Sequence, residues 1–182
     1  MSILLAIVIA LLVWGVVSYN RLVRDRNRTL NAWSDIDVQL KRRYDLIPKL
    51  VAAVDQYARF ERSTLTTLTE LRSRTLQTDD IDTKGTLENE LGGQLRSLVA
   101  LAEAYPELKA DQSFLQLQQN LTDIENQIQY ARRFYNGAVR NLNTRIDSFP
   151  DLLIARLFNY RPQVFFQLQS AAETEPPQGI AS

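Results

Sequence analysis

Residues 78 to 85, "TDDIDTKG", place three carboxylates within four positions, a spacing that could begin a calcium-binding loop. Such a loop needs oxygen ligands at its first, third and fifth positions and a bidentate carboxylate at the twelfth. Counted from Asp80, the fifth residue is Lys84 and the twelfth is Leu91, so the ligand set fails. A second acidic group, Glu103, Glu107 and Asp111, surrounds the turn "YPELKAD" and could form an acid pair. Solvated charges at helix ends are the plainer account, because no surrounding group completes a site.

The inventory of side chains narrows the chemistry further, since the chain has no Cys and no His. Thiolate nucleophiles, imidazole bases, disulfides and the His-containing zinc and di-iron sites are all removed. A serine triad has no base here, and the sequence contains no S-x-x-K pair, no G-x-G-x-x-G turn and no phosphate loop. The expectation is a protein that is not an enzyme and carries no cofactor and no metal.

What remains is a basic cluster, Lys41, Arg42 and Arg43, in the stretch "AWSDIDVQLKRRYDLIPKLV". With 21 basic and 21 acidic residues in 182, the chain has no net charge to attract nucleic acid, and no aromatics interleave with the cluster. Lys41, Arg42, Arg43 and Lys49 are therefore candidate residues for binding a protein partner. The competing account is local: the triplet closes a helix, where cations complement the negative end of the dipole. Pro48 favours that account, because proline suits the first turn of a helix and the residue before it avoids helical geometry. A turn near Asp45 to Pro48 is thus expected, with a proline-kinked continuous helix as the alternative.

The elements that must position these residues are helical throughout, with no period-2 stretch and no hairpin turn. The segment "MSILLAIVIALLVWGVVSYN" is uncharged from Ser2 to Asn20. Eighteen helical residues would span roughly 27 Å, close to the thickness of a bilayer's hydrocarbon core. A signal peptide would need a basic n-region and a small-residue cleavage site, and neither is present. Residues 1–19 therefore read as a transmembrane anchor, with Trp14 and Tyr19 near one interface. "RLVRDRNR" follows directly, so the positive-inside rule places the N-terminus outside and everything from residue 20 onward in the cytoplasm.

Residues 20–168 then read as a cytoplasmic bundle, and 169–182 as a disordered tail. Leu22, Leu30, Trp33, Ile36 and Leu40 make one stripe, and Ile47, Leu50, Val54, Tyr57, Leu65 and Leu68 a second. Leu87, Leu91, Leu95, Leu98 and Ala102 make a third, weakened locally by Gly92 and Gly93. The longest runs from Phe114 to Leu142 in steps of three and four, a 3.5-residue period that marks a bundle seam. Asp111 is its N-cap, and "SFP" stops it near Asp147. The fold class is all-α: one N-terminal transmembrane helix followed by an antiparallel up-down bundle of about four long helices. Aromatics at helical spacing, Trp33, Tyr57, Tyr130, Phe134 and Tyr135, could line a ligand groove between helices but are read as core, the commoner role of such spacing.

An apolar segment, residues 149–168, closes the bundle, "FPDLLIARLFNYRPQVFFQL". Its mixture of aromatics and arginines suits a lipid interface, but capping the open end of the bundle needs the same side chains. Candidate membrane-contact residues are Arg21, Arg24, Phe158, Phe165 and Phe166.

The motifs "YNRLVRDRN", "AWSDIDVQLKRRYDLIP", "EAYPELKAD", "FLQLQ", "ARRFYN" and "FP", in this order, resemble the LemA family of bacterial membrane-anchored helical proteins. Two positions depart from its pattern: Lys49 replaces an Asn after the Ile-Pro pair, and Phe60 stands where a His commonly precedes Glu61. The resemblance implies a helical bundle behind one membrane helix, without established enzymatic activity. It also implies association with membrane proteases of the HtpX type and with membrane-organising processes such as magnetosome vesicle formation. Two functional expectations follow: a membrane-tethered scaffold that forms homo-oligomers or organises membrane proteins, or an accessory regulator of a membrane metalloprotease.

Overall fold

The computed structural model describes residues 1–57 and 62–166. Their order is α1 (Ser2–Asp55), α2 (Arg62–Leu76), α3 (Ile81–Ala102), α4 (Pro106–Ala110), α5 (Gln112–Asp147) and α6 (Asp151–Leu157). No strand occurs among the described residues, and the helices pack as a bundle. The expected tail at 169–182 and Phe60 lie outside the described residues.

Local chemistry accounts for most helix ends. Asp80 caps α3 by accepting from the Thr83 amide at 2.8 Å. Asp111 caps α5, accepting from the amides of Ser113 at 2.7 Å and Phe114 at 3.1 Å. Helix α5 ends at Asp147, before Phe149 and Pro150, as the 3.5-residue period and its stop signal predict. The short α4 was not legible as a helix; Pro106 supplies its first turn with a pre-set φ and needs no donor there.

The turn expected near Pro48 is absent. Helix α1 continues through the proline to Asp55, so Lys41 to Arg43 lie inside a helix and cannot cap its end. Proline removes the hydrogen bond that its amide would give to the carbonyl four residues earlier, here that of Tyr44. That carbonyl instead accepts from Arg72 Nε on α2, at 2.7 Å. The break falls later, beyond Asp55, so the second apolar stripe is divided: Ile47, Leu50 and Val54 belong to α1, and Leu65 and Leu68 to α2.

The chain forms two compact units. The first comprises Met1–Gln39 with Gln127–Phe165, and the second comprises Leu40–Asn126 together with Phe166–Ser182, of which Phe166 is the described part.

In the first unit, α1 pairs with α5, and α6 folds against both. Leu22, Leu142, Ile146 and Ala155 form a buried cluster, with Ile154 and Tyr160 packed on it. Trp33 stacks obliquely on the buried Tyr135 with ring centroids 5.4 Å apart. The segment after α6 is strapped to α5 by side chains that imitate strand pairing. Asn143 donates to the Gln163 carbonyl at 2.9 Å and accepts from the Gln163 amide at 2.8 Å. The Tyr135 hydroxyl adds a bond to the Val164 carbonyl at 2.9 Å.

In the second unit, the end of α1, all of α2 and α3, and the beginning of α5 enclose a core that includes Leu50, Leu68, Leu91 and Leu98, each 0 % exposed. Leu121 and Ile124, expected on the seam of α5, are buried here as well. Four helices surrounding one apolar centre bury a stripe from each, which is why these sequences show their periodicity so clearly.

Candidate functional site

Of the basic triplet, only Arg43 turns inward, and it becomes the centre of a charged network in the second unit. It is 2 % exposed. Its Nη1 lies 2.6 Å from Glu125 Oε1 on α5, and its Nη2 forms an ion pair with Glu88 Oε2 on α3. The neighbouring Tyr44 donates its hydroxyl to the other oxygen of Glu88, which is itself 1 % exposed. Arg43 Nε is buried without a hydrogen-bond partner among the described residues, so the charge is compensated chiefly by the two carboxylates. This arrangement corrects the reading of Arg43 as a surface residue for partners. Lys41, Arg42 and Lys49 are exposed.

The sequence carried a signal for this network. Arg43 is three residues beyond Leu40 and four before Ile47, Glu88 is three before Leu91, and Glu125 is four beyond Leu121. Arg43 therefore occupies a seam position of α1, while Glu88 and Glu125 each stand one residue beyond a seam residue of their helices, Leu87 and Ile124. Charged groups are almost never fully buried unless paired, so an arginine on a seam could have been matched with carboxylates beside the seams of other helices.

A second network stands in the first unit. Arg145 on α5 donates from Nε to Asp25 on α1 at 2.5 Å and from Nη1 to Asp151 on α6 at 3.0 Å. Asp151 also accepts from the buried Ser18 hydroxyl. Donation to Asp25 raises the Arg145 pKa further above its ordinary value, although burial acts against it. Arg145 is 30 % and Asp25 17 % exposed, so water reaches both charges.

The acidic candidates are used for structure. Backbone donation from Phe114 and then Ser113 holds Asp111 below its ordinary carboxylate value. The Tyr57 hydroxyl donates to the same carboxylate at 3.2 Å, and this bond raises the phenol's pKa. Donation from Thr83 likewise lowers Asp80. Glu103 and Glu107 are exposed, and no group of three potential metal ligands occurs among the described residues.

The membrane-contact candidates separate. Arg21, Arg24 and Phe158 are exposed, Phe165 is half-buried, and Phe166 is fully buried, which corrects its assignment to a lipid surface. Two aromatics expected in the core, Tyr130 and Phe134, are instead 66 % and 41 % exposed. They edge an open groove between α1 and α5 in the first unit, together with Asp35, Gln39, Gln127 and Ala131. Arg28 lies over the Phe134 ring, 5.4 Å from its centre.

Helix α1 is long and apolar enough, by length and composition, to cross a membrane. The fold thus defines an all-helical bundle protein with one N-terminal helix of membrane-crossing length. Within that class the chain belongs to the LemA family, whose model matches residues 32–178. It is 31 % identical over 152 residues to protein LemA of Metamycoplasma hominis, covering 81 % of this chain and 68 % of that protein. It is also 22 % identical over 193 residues to the magnetosome proteins MamQ 1 and MamQ 2 of Paramagnetospirillum magneticum, covering 92 % of this chain and 71 % of theirs.

Proposed function

We propose that this protein is a non-enzymatic, membrane-tethered scaffold that self-associates through its first unit. Residues 2–19 hold it in a bacterial inner membrane with the N-terminus outside, and the bundle faces the cytoplasm; the arginines that follow the apolar run support this orientation. The observation that carries self-association is the groove bearing Tyr130 and Phe134. Two paired helices bury only one seam, and exposed aromatics in a groove are the residue types that dominate the energetics of helix docking. Similarity to proteins named for a membrane organelle agrees with an organising role.

The test is native mass spectrometry of the complex released gently from membranes. Several copies of this chain in one particle are expected, and Tyr130→Ser with Phe134→Ser should reduce the copy number. Recovery of a single copy bound to one membrane metalloprotease would overturn self-association in favour of a regulatory role.

A further inference from the structure

The outer face of α6 has no partner among the described residues, while its inner face is fixed against the root of the apolar helix. Ala155 is 0 % exposed beside Leu22, Ser18 holds Asp151, and Phe158 lies against Tyr19 with ring centroids 4.7 Å apart. One turn earlier on α1, a methyl group at Gly15 would sit 3.8 Å from Ile154 Cδ1. Residues 15 to 22 are where the uncharged run gives way to Arg21 and Arg24. Helix α6 is therefore docked beside that transition.

On its outward side α6 presents Leu153 and Leu157, 53 % and 71 % exposed, with Arg156 between them on the same face. Phe149 precedes the helix at 79 % exposure and Phe158 ends it at 52 %. Arg161 follows and is also exposed. Large apolar side chains flanked by arginines suit the headgroup boundary, where chains enter the acyl region and cations meet anionic phosphates. Two features favour a membrane as the occupant: this face adjoins the apolar surface of α1, and its charges, Arg156 and Arg161, are positive.

Resting on the reading of residues 2–19 as a membrane anchor, we infer that α6 is an interfacial helix that seats Leu153, Leu157 and Phe158 in an anionic bilayer surface beside the anchor. The contact is made by α6 itself and not by the Phe165–Phe166 pair. Because Arg145 ties Asp151 to Asp25, the helix is held at this level by protein contacts before lipid is met.

The chain contains no cysteine, so single nitroxide labels can be introduced without background. Leu153→Cys and Leu157→Cys, in the full chain reconstituted into vesicles of phosphatidylcholine and phosphatidylglycerol, should be severalfold more accessible to oxygen, relative to a polar nickel chelate, than Ser97→Cys. Ile9→Cys marks the anchor. In vesicles of phosphatidylcholine alone, the preference at residues 153 and 157 should fall while that at residue 9 stays.

If residues 153 and 157 behave like residue 97 while residue 9 is in lipid, α6 lies in water and the inference fails with the anchor intact. Exclusion of both reagents would show protein covering the face and overturn it equally. An aqueous residue 9 would remove the anchor reading and this inference together. An unchanged preference at residues 153 and 157 without phosphatidylglycerol would overturn the anionic surface as the partner.

Discussion

Each compact unit of the chain carries a charged network built around an arginine, and these two networks differ in what surrounds them. Arg43 in the second unit is enclosed by four helices, and its partner Glu88 has lost its water. Arg145 in the first unit also binds two carboxylates but stays 30 % exposed, because two long helices and a short third cannot enclose it. The same pairing of one arginine with two carboxylates therefore has different energetic consequences. In a dry core an arginine left alone suffers the full cost of desolvation, whereas at a wet seam water replaces a lost partner.

The largest expected effect comes from breaking the dry network on one side. Arg43→Met should destabilise the protein by about 3 to 5 kcal/mol in chemical denaturation, since it leaves Glu88 buried and uncompensated. Adding Glu88→Leu should restore much of the loss. If the double variant is as unstable as the single one, packing rather than charge governs the site.

Next are Leu121→Ala and Ile124→Ala, each of which removes a side chain that is 6 % exposed. A loss of about 2 to 5 kcal/mol apiece is expected from the cavity and the lost burial. Values near zero would show that the second unit is less tightly packed than its burial implies.

Arg145→Met tests the wet network and should cost only about 1 kcal/mol or less. A loss as large as that of Arg43→Met would abolish the distinction between the units.

The smallest effect is a pH dependence at the Tyr57–Asp111 contact. Asp111 has a lowered folded pKa, so its contribution is present above the ordinary aspartate value of 3.8 and is lost as pH falls through the folded value. Tyr57 has a raised pKa, so its contribution is present below 10.0 and is lost as pH rises past the folded value. Asp111→Asn keeps an N-cap acceptor that does not titrate. In denaturation series its stability should fall less than that of the parent chain on acidification. Parallel acid limbs would show that the Asp111 carboxylate adds nothing beyond its shape.

Features set by neighbours in sequence were legible, and features set by neighbours in space were not. The bounds of α5 follow from Asp111 and from the prolyl stop, both of which act within a turn of the helix. The continuity of α1 depends on Arg72, which lies on another helix and leaves no mark near Pro48. Arg43 was hidden by Lys41 and Arg42, because a run of three cations reads as a solvated face until burial separates them. Tyr130 and Phe134 have helical spacing but no third helix to cover them among the described residues of the first unit, and periodicity cannot reveal that. The apolar segment after Phe149 left capping and lipid contact open. Its helix is two-sided, with Ala155 packed inward as capping requires and Leu157 facing out.

The guanidinium of Arg72 acts on α1 as a pin acts on a joint. A helix that has lost one of its rungs to proline is compliant at that turn, and a rod with a compliant turn transmits little torque. Arg72 replaces the missing rung from outside the rod, so the stiffness of α1 at Tyr44 belongs to α2 as much as to α1. Loosening α2 unpins the joint, and α1 is then free to bend at Pro48.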